Sequence, residues 1–313
     1  MNKNRCLCCG KLLEDTNSHY HLSCIKRFFG TKELPAIELK KENLEDLAEK
    51  SVKIGKTVAG VQKKISLHLE SSAGRSRLTL VGYPAGYILK PESSEFQKLP
   101  QSEFVAMKLA ELWKIKTVPN ALFQMADGSL AYIAKRIDRT DEKIAMEDFC
   151  QLGERLTEDK YKGSYEQCGK IISKYSAMPV ADKSDFFNRL LFCFMIGNND
   201  MHLKNFSLIE TDNSVFVLSA AYDLVSVQIV NPEDTEETAL TLNGKKRNLK
   251  KSDFLRLAEN LDLNEKAAHR MIERSLEAAK KIDRDLVEYF LEELAEPFFD
   301  LVQNRCLVLS REK

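Results

Sequence analysis

The chain reads as an α+β protein of two lobes. A smaller first lobe carries a β-sheet with a helix, a larger second lobe is mostly helical, and a short cysteine-rich segment precedes both. Three observations predict this. Period-two apolar alternation with turn signals dominates residues 54–137, 3.6-period apolar faces dominate the chain after residue 140, and composition changes near residue 35. The boundaries fall at 1–35, 36–140 and 141–313. A length of 313 residues with 43% hydrophobic content suits one bilobal domain or two packed domains with a sizeable core.

Bulk properties remove several classes of function. Lys+Arg and Asp+Glu stand equal at 47 each, so net charge argues against a nucleic-acid-binding surface. The runs Lys245-Lys246-Arg247 and Lys250-Lys251 read as solvated faces. No apolar run approaches the ~20 residues of a membrane span. The first residues lack the apolar core of a signal peptide, which predicts a cytoplasmic protein. The eight cysteines are then expected as reduced thiols or metal ligands, not disulfides.

In the cysteine-rich segment, Cys6-x2-Cys9 and His21-x2-Cys24 offer two pincers for a tetrahedral zinc ion, and Gly10 permits the tight turn after the first. Cys8 and His19 are alternative donors, and ordinary thiols on a hairpin and helix are the plain alternative to a zinc site. Residues 25–30 form a helical turn closed by Gly30, and Pro35 opens a linker. Residues 42–50 suit a short amphipathic helix with Leu44, Leu47 and Ala48 on one side. Gly55 and Gly60 flank a small-residue loop that could approach phosphate oxygens, although neither G-x4-G-K-[ST] nor G-x-G-x-x-G is present. Ile65, Leu67 and Leu69 then alternate as a strand, and residues 78–81 and 87–89 continue the sheet.

Lys90 ends a strand stopped by Pro91, where a lysine can pair nucleotide phosphates. Residues 101–112 are helical in period, with Glu103 placed to meet Lys90 or to favour the helix dipole. A hairpin spans residues 122–137 around Ala126-Asp127-Gly128. Beyond it, helices are predicted from Met146, over 165–176, 182–196, 252–261, 264–284 and 286–308, with Ser252 and Asn264 as N-caps and a short strand over 239–242.

The chemistry concentrates in Gly197-Asn198-Asn199-Asp200-Met201-His202-Leu203-Lys204-Asn205. An acid, an imidazole, a cation and an amide follow one another after an apolar run, and a second strand ends at Tyr222-Asp223. Asp, then Asn five positions on, then a later Asp resembles the catalytic-loop and metal-loop spacing of protein kinases. Asp200 could orient or deprotonate a hydroxyl, Asn205 and Asp223 offer oxygen ligands to magnesium, and Lys204 could offset phosphoryl charge. A polar turn in which Asp200 and Asn205 cap the backbone is the alternative for that loop alone.

The order of these motifs resembles the HipA family of bacterial serine/threonine kinases, the toxins of type II toxin–antitoxin modules. The resemblance runs from about Ile54 to Arg305. It rests on Thr57-x-x-Gly60-x-Gln62-x-Lys64, Tyr87-Ile88-Leu89-Lys90, the Glu103 helix, Lys135-Arg136-Ile137-Asp138-Arg139, Glu147-Asp148-x-x-Gln151, the Asp200 loop and Tyr222-Asp223-Leu224-Val225-Ser226. It implies a bilobal protein-kinase-like fold using ATP and Mg2+. Asp200 and Lys204 would serve catalysis, and Asn205 and Asp223 would hold magnesium. Thr57, Val58, Ala59, Gly60, Lys90 and His202 would lie along the nucleotide, with Lys135 and Ile137 framing adenine through backbone atoms. Thr57 falls where the family autophosphorylates, with Ser66 as a weaker rival. The chain resembles the compact HipT and CtkA-like branch, in which the missing N-terminal subdomain can be a separate small HipS-like protein. Met146 and Ile137 depart from the commoner Gln and Phe. Implied partners are a protein substrate, of the kind represented by aminoacyl-tRNA synthetases, and a HipB-like DNA-binding antitoxin, with no direct nucleic-acid binding and no membrane. A small-molecule or phosphoinositide-like kinase, and a catalytically silent ATP-binding scaffold, are the competing expectations.

Overall fold

The computed structural model describes residues 4–15, 17–37, 64–72, 75–79, 85–139 and 142–311. The helix expected over 42–50 and the loop carrying Thr57, Val58, Ala59 and Gly60 lie outside the described residues. The chain divides into two compact units. The first comprises Met1–Lys108, Val118–Lys143 and Arg284–Glu292, and the second Leu109–Thr117, Ile144–Asp283 and Glu293–Lys313.

The first unit is built on a six-stranded sheet of β1 (Ala36–Ile37), β2 (Ile65–Ser72), β3 (Arg75–Thr79), β4 (Tyr87–Lys90), β5 (Asn120–Gln124) and β6 (Leu130–Lys135). Their spatial order is β1-β3-β2-β4-β6-β5. The expected linker after Pro35 instead enters the sheet, where β1 pairs in parallel with β3 through Ala36↔Arg77 and Ile37↔Leu78. The other pairings are antiparallel, as short connections require. Asp127 and Gly128 turn the β5–β6 hairpin, with Gly128 at φ +86°. Of the segment set apart by composition, residues 1–35, the described residues 4–15 and 17–35 belong to this unit. Their helix α1 (Leu22–Phe29) ends on Gly30 at φ 77°, and its rings Phe28 and Phe29 each lie 5.7 Å from Tyr87. Helix α2 (Leu99–Leu109) brings Phe104 to 5.0 Å from Phe290.

The second unit holds a three-stranded antiparallel sheet, β7 (Met146–Asp148), β8 (Ser207–Glu210) and β9 (Phe216–Leu218), ordered β7-β8-β9. The predicted helix from Met146 is corrected here. Residues 146–148 form a strand and the helix α3 (Phe149–Leu152) starts after it, because Asp148 serves as N-cap, accepting from Gln151 N–H while the Gln151 side chain accepts from Asp148 N–H. Helices α4 (Tyr165–Tyr175) and α5 (Pro179–Ile196) follow; Pro179 opens α5, where its missing N–H costs nothing. Phe186, Phe187, Leu190, Leu191 and Phe194 of α5 are buried, as the apolar face predicts. A four-residue helix α6 (Val227–Val230) precedes a long polar stretch. In it the expected strand at 239–242 is reduced to isolated bridges, Ser164↔Thr241 and Leu242↔Lys245, although Ala239, Leu240 and Leu242 are buried.

Helix α7 (Lys251–Asn260) places Ser252 inside rather than at its cap, since Asp253 reaches back to accept from Lys250 N–H at 2.9 Å. Asn264 caps α8 (Glu265–Ala279) as predicted, accepting from Lys266 and Ala267 N–H. The single helix expected over 286–308 is two, α9 (Arg284–Leu291) in the first unit and α10 (Ala295–Ser310) in the second, with a 3-10 turn at Glu292–Leu294. Pro297 explains the break: it lacks an N–H and fits the first turn of a new helix, not the middle of a continuing one. Among the described residues, no helix is long and apolar enough to cross a membrane.

Candidate active site

Helix α5 delivers the polar turn of the second unit. It stops at Gly197, φ 70°, whose N–H bonds to the Phe194 carbonyl, and a Cβ there would sit 2.4 Å from Leu301 Cδ2. From this stop the backbone folds on itself. Asp200 N–H donates to Asn198 Oδ1 (3.2 Å), His202 N–H to the Asp200 carbonyl (2.8 Å), and Asn205 Nδ2 to that same carbonyl (2.9 Å). Asp200, His202 and Asn205 are thereby held on one tight turn. With its amide nitrogen committed to Asp200, Asn205 presents its carboxamide oxygen elsewhere, a hard donor of the type magnesium takes.

The turn is braced from outside. Asn199 Nδ2 donates to the Glu236 carbonyl at 2.8 Å, Gln228 N–H to the Gly197 carbonyl at 3.0 Å, and the Ser226 hydroxyl to the Ile196 carbonyl. Phe206, at its end, stacks on Phe149 at 5.7 Å and meets Phe186 at 4.9 Å. The Asp223 segment is tied to it through Tyr222, whose hydroxyl donates to the Lys204 carbonyl (3.1 Å) and, its proton so used, accepts from Ser207 Oγ (2.5 Å). Asp223 sits at φ 56°, a left-handed conformation that a short polar side chain tolerates better than most. Arg189, 2% exposed, donates to both Asp185 Oδ2 and the Ser219 carbonyl at 2.6 Å and so joins α5 to the strand end before Asp223.

Lys204 does not point freely from the turn: its ammonium pairs with Asp148 Oδ2 at 2.6 Å, the carboxylate that also caps α3. Sequence reasoning missed Tyr161. Its hydroxyl donates to Asp200 Oδ1 at 2.6 Å and its ring meets the His202 ring edge-on at 4.9 Å. Nothing in Lys160-Tyr161-Lys162-Gly163 marks that residue, since the contact spans 39 positions.

In the first unit, strand pleating sets Lys90 and Tyr87 on opposite faces of β4. Lys90 Nζ meets Glu103 Oε1 of α2 at 2.6 Å, with the two side chains 4% and 2% exposed. The ring of Tyr132 lies 5.3 Å from the ammonium. Lys135 ends β6 with its N–H donated to the Pro119 carbonyl at 2.8 Å, so that N–H is not offered to a purine. Beside it and Ile137, Asp138 is clamped by Arg136 and Arg139 at 2.8 and 2.6 Å. Burial pushes the Asp138 carboxyl up, but the Arg136 hydrogen bond and both guanidinium charges outweigh burial and hold it below the usual range. Ser66, in β2, pairs across the ladder with Ile88.

At the start of this unit, Cys6, Cys9, His21 and Cys24 converge, their ligand atoms all within 4.8 Å of one another. The alternative donors Cys8 and His19 are not in this group. Cys8 is buried, and burial first among the causes pushes its thiol up to about 11.

A buried Lys–Glu pair in the sheet unit and an Asp-x-His-x-x-Asn turn in the helical unit are features that kinases use. A family model described as the HipA-like C-terminal domain matches residues 56–282, and the chain belongs to that family. A Sinorhizobium fredii protein named as a candidate kinase, Y4dM, is 32% identical over 227 residues. That match covers 67% of this chain and 54% of the relative, so the chain spans about half the length of that protein. A candidate kinase of Haemophilus influenzae is 26% identical over 278 residues, 79% of each chain. The fold is similar to that of HipA from Shewanella oneidensis MR-1, solved with HipB and operator DNA. The TM-score is 0.68 at 22% identity, over 88% of this chain and 74% of that one.

Proposed function

We propose that this chain is a HipA-like serine/threonine protein kinase and the toxin of a type II toxin–antitoxin system, acting in the cytoplasm. The observation that carries the reading is the braced turn that fixes Asp200 and Asn205 to each other, in a chain of this family. Asp200 orients the acceptor hydroxyl and takes its proton as transfer begins. Tyr161, bonded to the same carboxylate, sets its direction. Asn205 and Asp223 supply oxygen ligands for magnesium, and Lys90, positioned by Glu103, contacts the nucleotide phosphates. Magnesium supplies charge neutralisation on the transferring phosphoryl group. His202 lies beside the nucleotide, Lys135 and Ile137 frame adenine, and Lys204, oriented by Asp148, offsets charge on the moving phosphoryl group. Because the Lys135 N–H is committed within the sheet, its contribution runs through its carbonyl.

The substrate is a protein, with an aminoacyl-tRNA synthetase fitting the growth arrest expected of a toxin. A HipB-like antitoxin restrains it, in keeping with the HipB seen beside the Shewanella protein, and a small HipS-like protein is a further partner. Thr57, with Val58, Ala59 and Gly60, covers the phosphates. Phosphorylation there would place a dianion against ATP and weaken its binding.

Radiolabelled ATP incubated with the pure chain and a cell lysate tests the reading. Label is expected on protein, lost in Asp200→Asn and Asp223→Ala chains, and induction of the native chain is expected to slow growth while neither variant does. Label on small solutes alone would favour a small-molecule or phosphoinositide-like kinase. Growth arrest that persists in Asp200→Asn would favour a silent ATP-binding partner.

A further inference from the structure

The cysteine cluster takes no part in the transfer just described, yet it carries the marks of a built site. The pincers Cys6-x2-Cys9 and His21-x2-Cys24 come from separate segments and meet at one point. His21 Nδ1 lies 3.5 Å from Cys9 Sγ and 3.9 Å from Cys24 Sγ. Zinc–sulfur bonds of about 2.3 Å in a tetrahedron set ligand atoms roughly 3.8 Å apart, so the cluster needs only a small contraction to close on a cation.

The surroundings fix the ligands in the way metal sites do. His21 Nε2 faces the Leu12 carbonyl at 3.1 Å. A carbonyl can only accept, so Nε2 carries the proton and the Nδ1 lone pair faces the thiols. Cys8 N–H donates to Cys6 Sγ at 3.5 Å, and Gly10, at φ 73°, lets the chain turn back so that its N–H reaches the Cys6 carbonyl at 2.8 Å. Three thiolates and one imidazole around a divalent ion leave one net negative charge. Arg27 Nη2, 3.8 Å from Cys24 Sγ, stands where it offsets that charge.

What the cluster holds in place is also visible. Strand β5 is the last of the six-stranded sheet, so its outer edge needs partners. Both polar backbone groups of Leu122 on that edge are taken by the segment between and beside the pincers. Leu122 N–H donates to the Leu7 carbonyl at 2.7 Å, and the Tyr20 hydroxyl donates to the Leu122 carbonyl at 2.8 Å. Leu7 lies between the two ligands of the first pincer, and Tyr20 directly precedes His21. A segment this short has little core of its own, and a metal cross-link is the usual remedy.

We propose that Cys6, Cys9, His21 and Cys24 form a closed, four-coordinate structural zinc site that locks the segment carrying Leu7 and Tyr20 as the cap on the open edge of β5. Donor softness selects zinc over magnesium or calcium, and a filled set of four protein ligands argues for structure, not catalysis.

Elemental analysis of the full chain purified without added metal is expected to find one zinc per chain. The zinc should be lost in Cys9→Ser and kept in Cys8→Ser. Cobalt substituted into the native chain should give the intense visible absorption of a tetrahedral thiolate site, which reports the ligand set even if Cys9→Ser fails to fold. On chelation, hydrogen exchange at the Leu122 amide should speed by at least about tenfold while α8 amides stay unchanged. Two results would overturn the site: no zinc with no cobalt absorption, or metal binding lost in Cys8→Ser. Stoichiometric zinc whose removal leaves Leu122 exchange unaltered would overturn the capping role.

Discussion

Replacing Glu103 by glutamine isolates the buried ion pair of the first unit. Lys90 and Glu103 are 3% and 1% exposed and their charged atoms are 2.6 Å apart, so the pair belongs to the buried regime, not the screened surface one. In that regime the attraction roughly balances the desolvation of both charges, and the pair as a whole adds little stability. Removing one partner is different. Glu103→Gln keeps the volume but removes the carboxylate 2.6 Å from the buried ammonium, which costs about 3–5 kcal/mol. At roughly 2–4 °C per kcal/mol, the melting transition should fall by about 6–20 °C. The double variant Lys90→Met with Glu103→Leu deletes both charges and should recover most of that loss, because apolar replacement of a whole buried pair is near neutral. Phosphoryl transfer, by contrast, should be absent in the double variant, since the Lys90 cation proposed to meet phosphate is gone. Urea unfolding of native, single and double variants, with labelled-ATP assays on the folded ones, reads both quantities. A Glu103→Gln cost below about 1 kcal/mol, or a double variant as unstable as the sum of the singles, would refute the reasoning.

Tyr161→Phe should leave the fold intact and lower kcat by about tenfold with little change in KM for ATP, because it removes the hydroxyl that orients the Asp200 carboxylate while keeping the ring beside His202; steady-state kinetics at saturating protein substrate checks this. Asp148→Ala removes the cap of α3 and the partner of Lys204 together, so calorimetry should show a loss of about 1–2 kcal/mol. Thr57→Asp should weaken ATP binding in titration calorimetry; unchanged affinity would end the loop-phosphorylation idea. Asp253 is held below its ordinary 3.8: burial raises it, but Lys245, Asn243 and the Lys250 N–H together outweigh burial. Its stabilisation is therefore complete above 3.8 and lost as pH falls through the lower folded value. Asp253→Asn should be less stable at neutral pH and show a shallower loss of stability below 3.8, measured by urea unfolding across pH.

How much was legible in the chain depends on the reach of each interaction. The glycine stops at Gly30 and Gly197, the Asn264 cap, the Asp127-Gly128 turn and the apolar face of α5 are local, and their periods and turn chemistry announce them. The start of α7 and the split between α9 and α10 differ from the expected bounds for a local reason too. Asp253 and Pro297 carried the signal, and Ser252 and an unbroken apolar period masked it.

The sequence by itself determined most of the helices and the central strands, the residue types of the Asp200 turn and the close spacing within Cys6-x2-Cys9 and His21-x2-Cys24. Each is a matter of residue type at short spacing, where the backbone alone fixes who meets whom. Only the tertiary structure decided that Lys204 turns to Asp148, that Tyr161 holds Asp200, that Lys90 meets Glu103 rather than solvent, and that Leu7 and Tyr20 cover Leu122. Those partners lie 13 to 115 positions apart, the longest being Leu7 to Leu122. Spacing along a chain carries no information about such pairs, because packing of the elements, not their order, brings the side chains within hydrogen-bond reach.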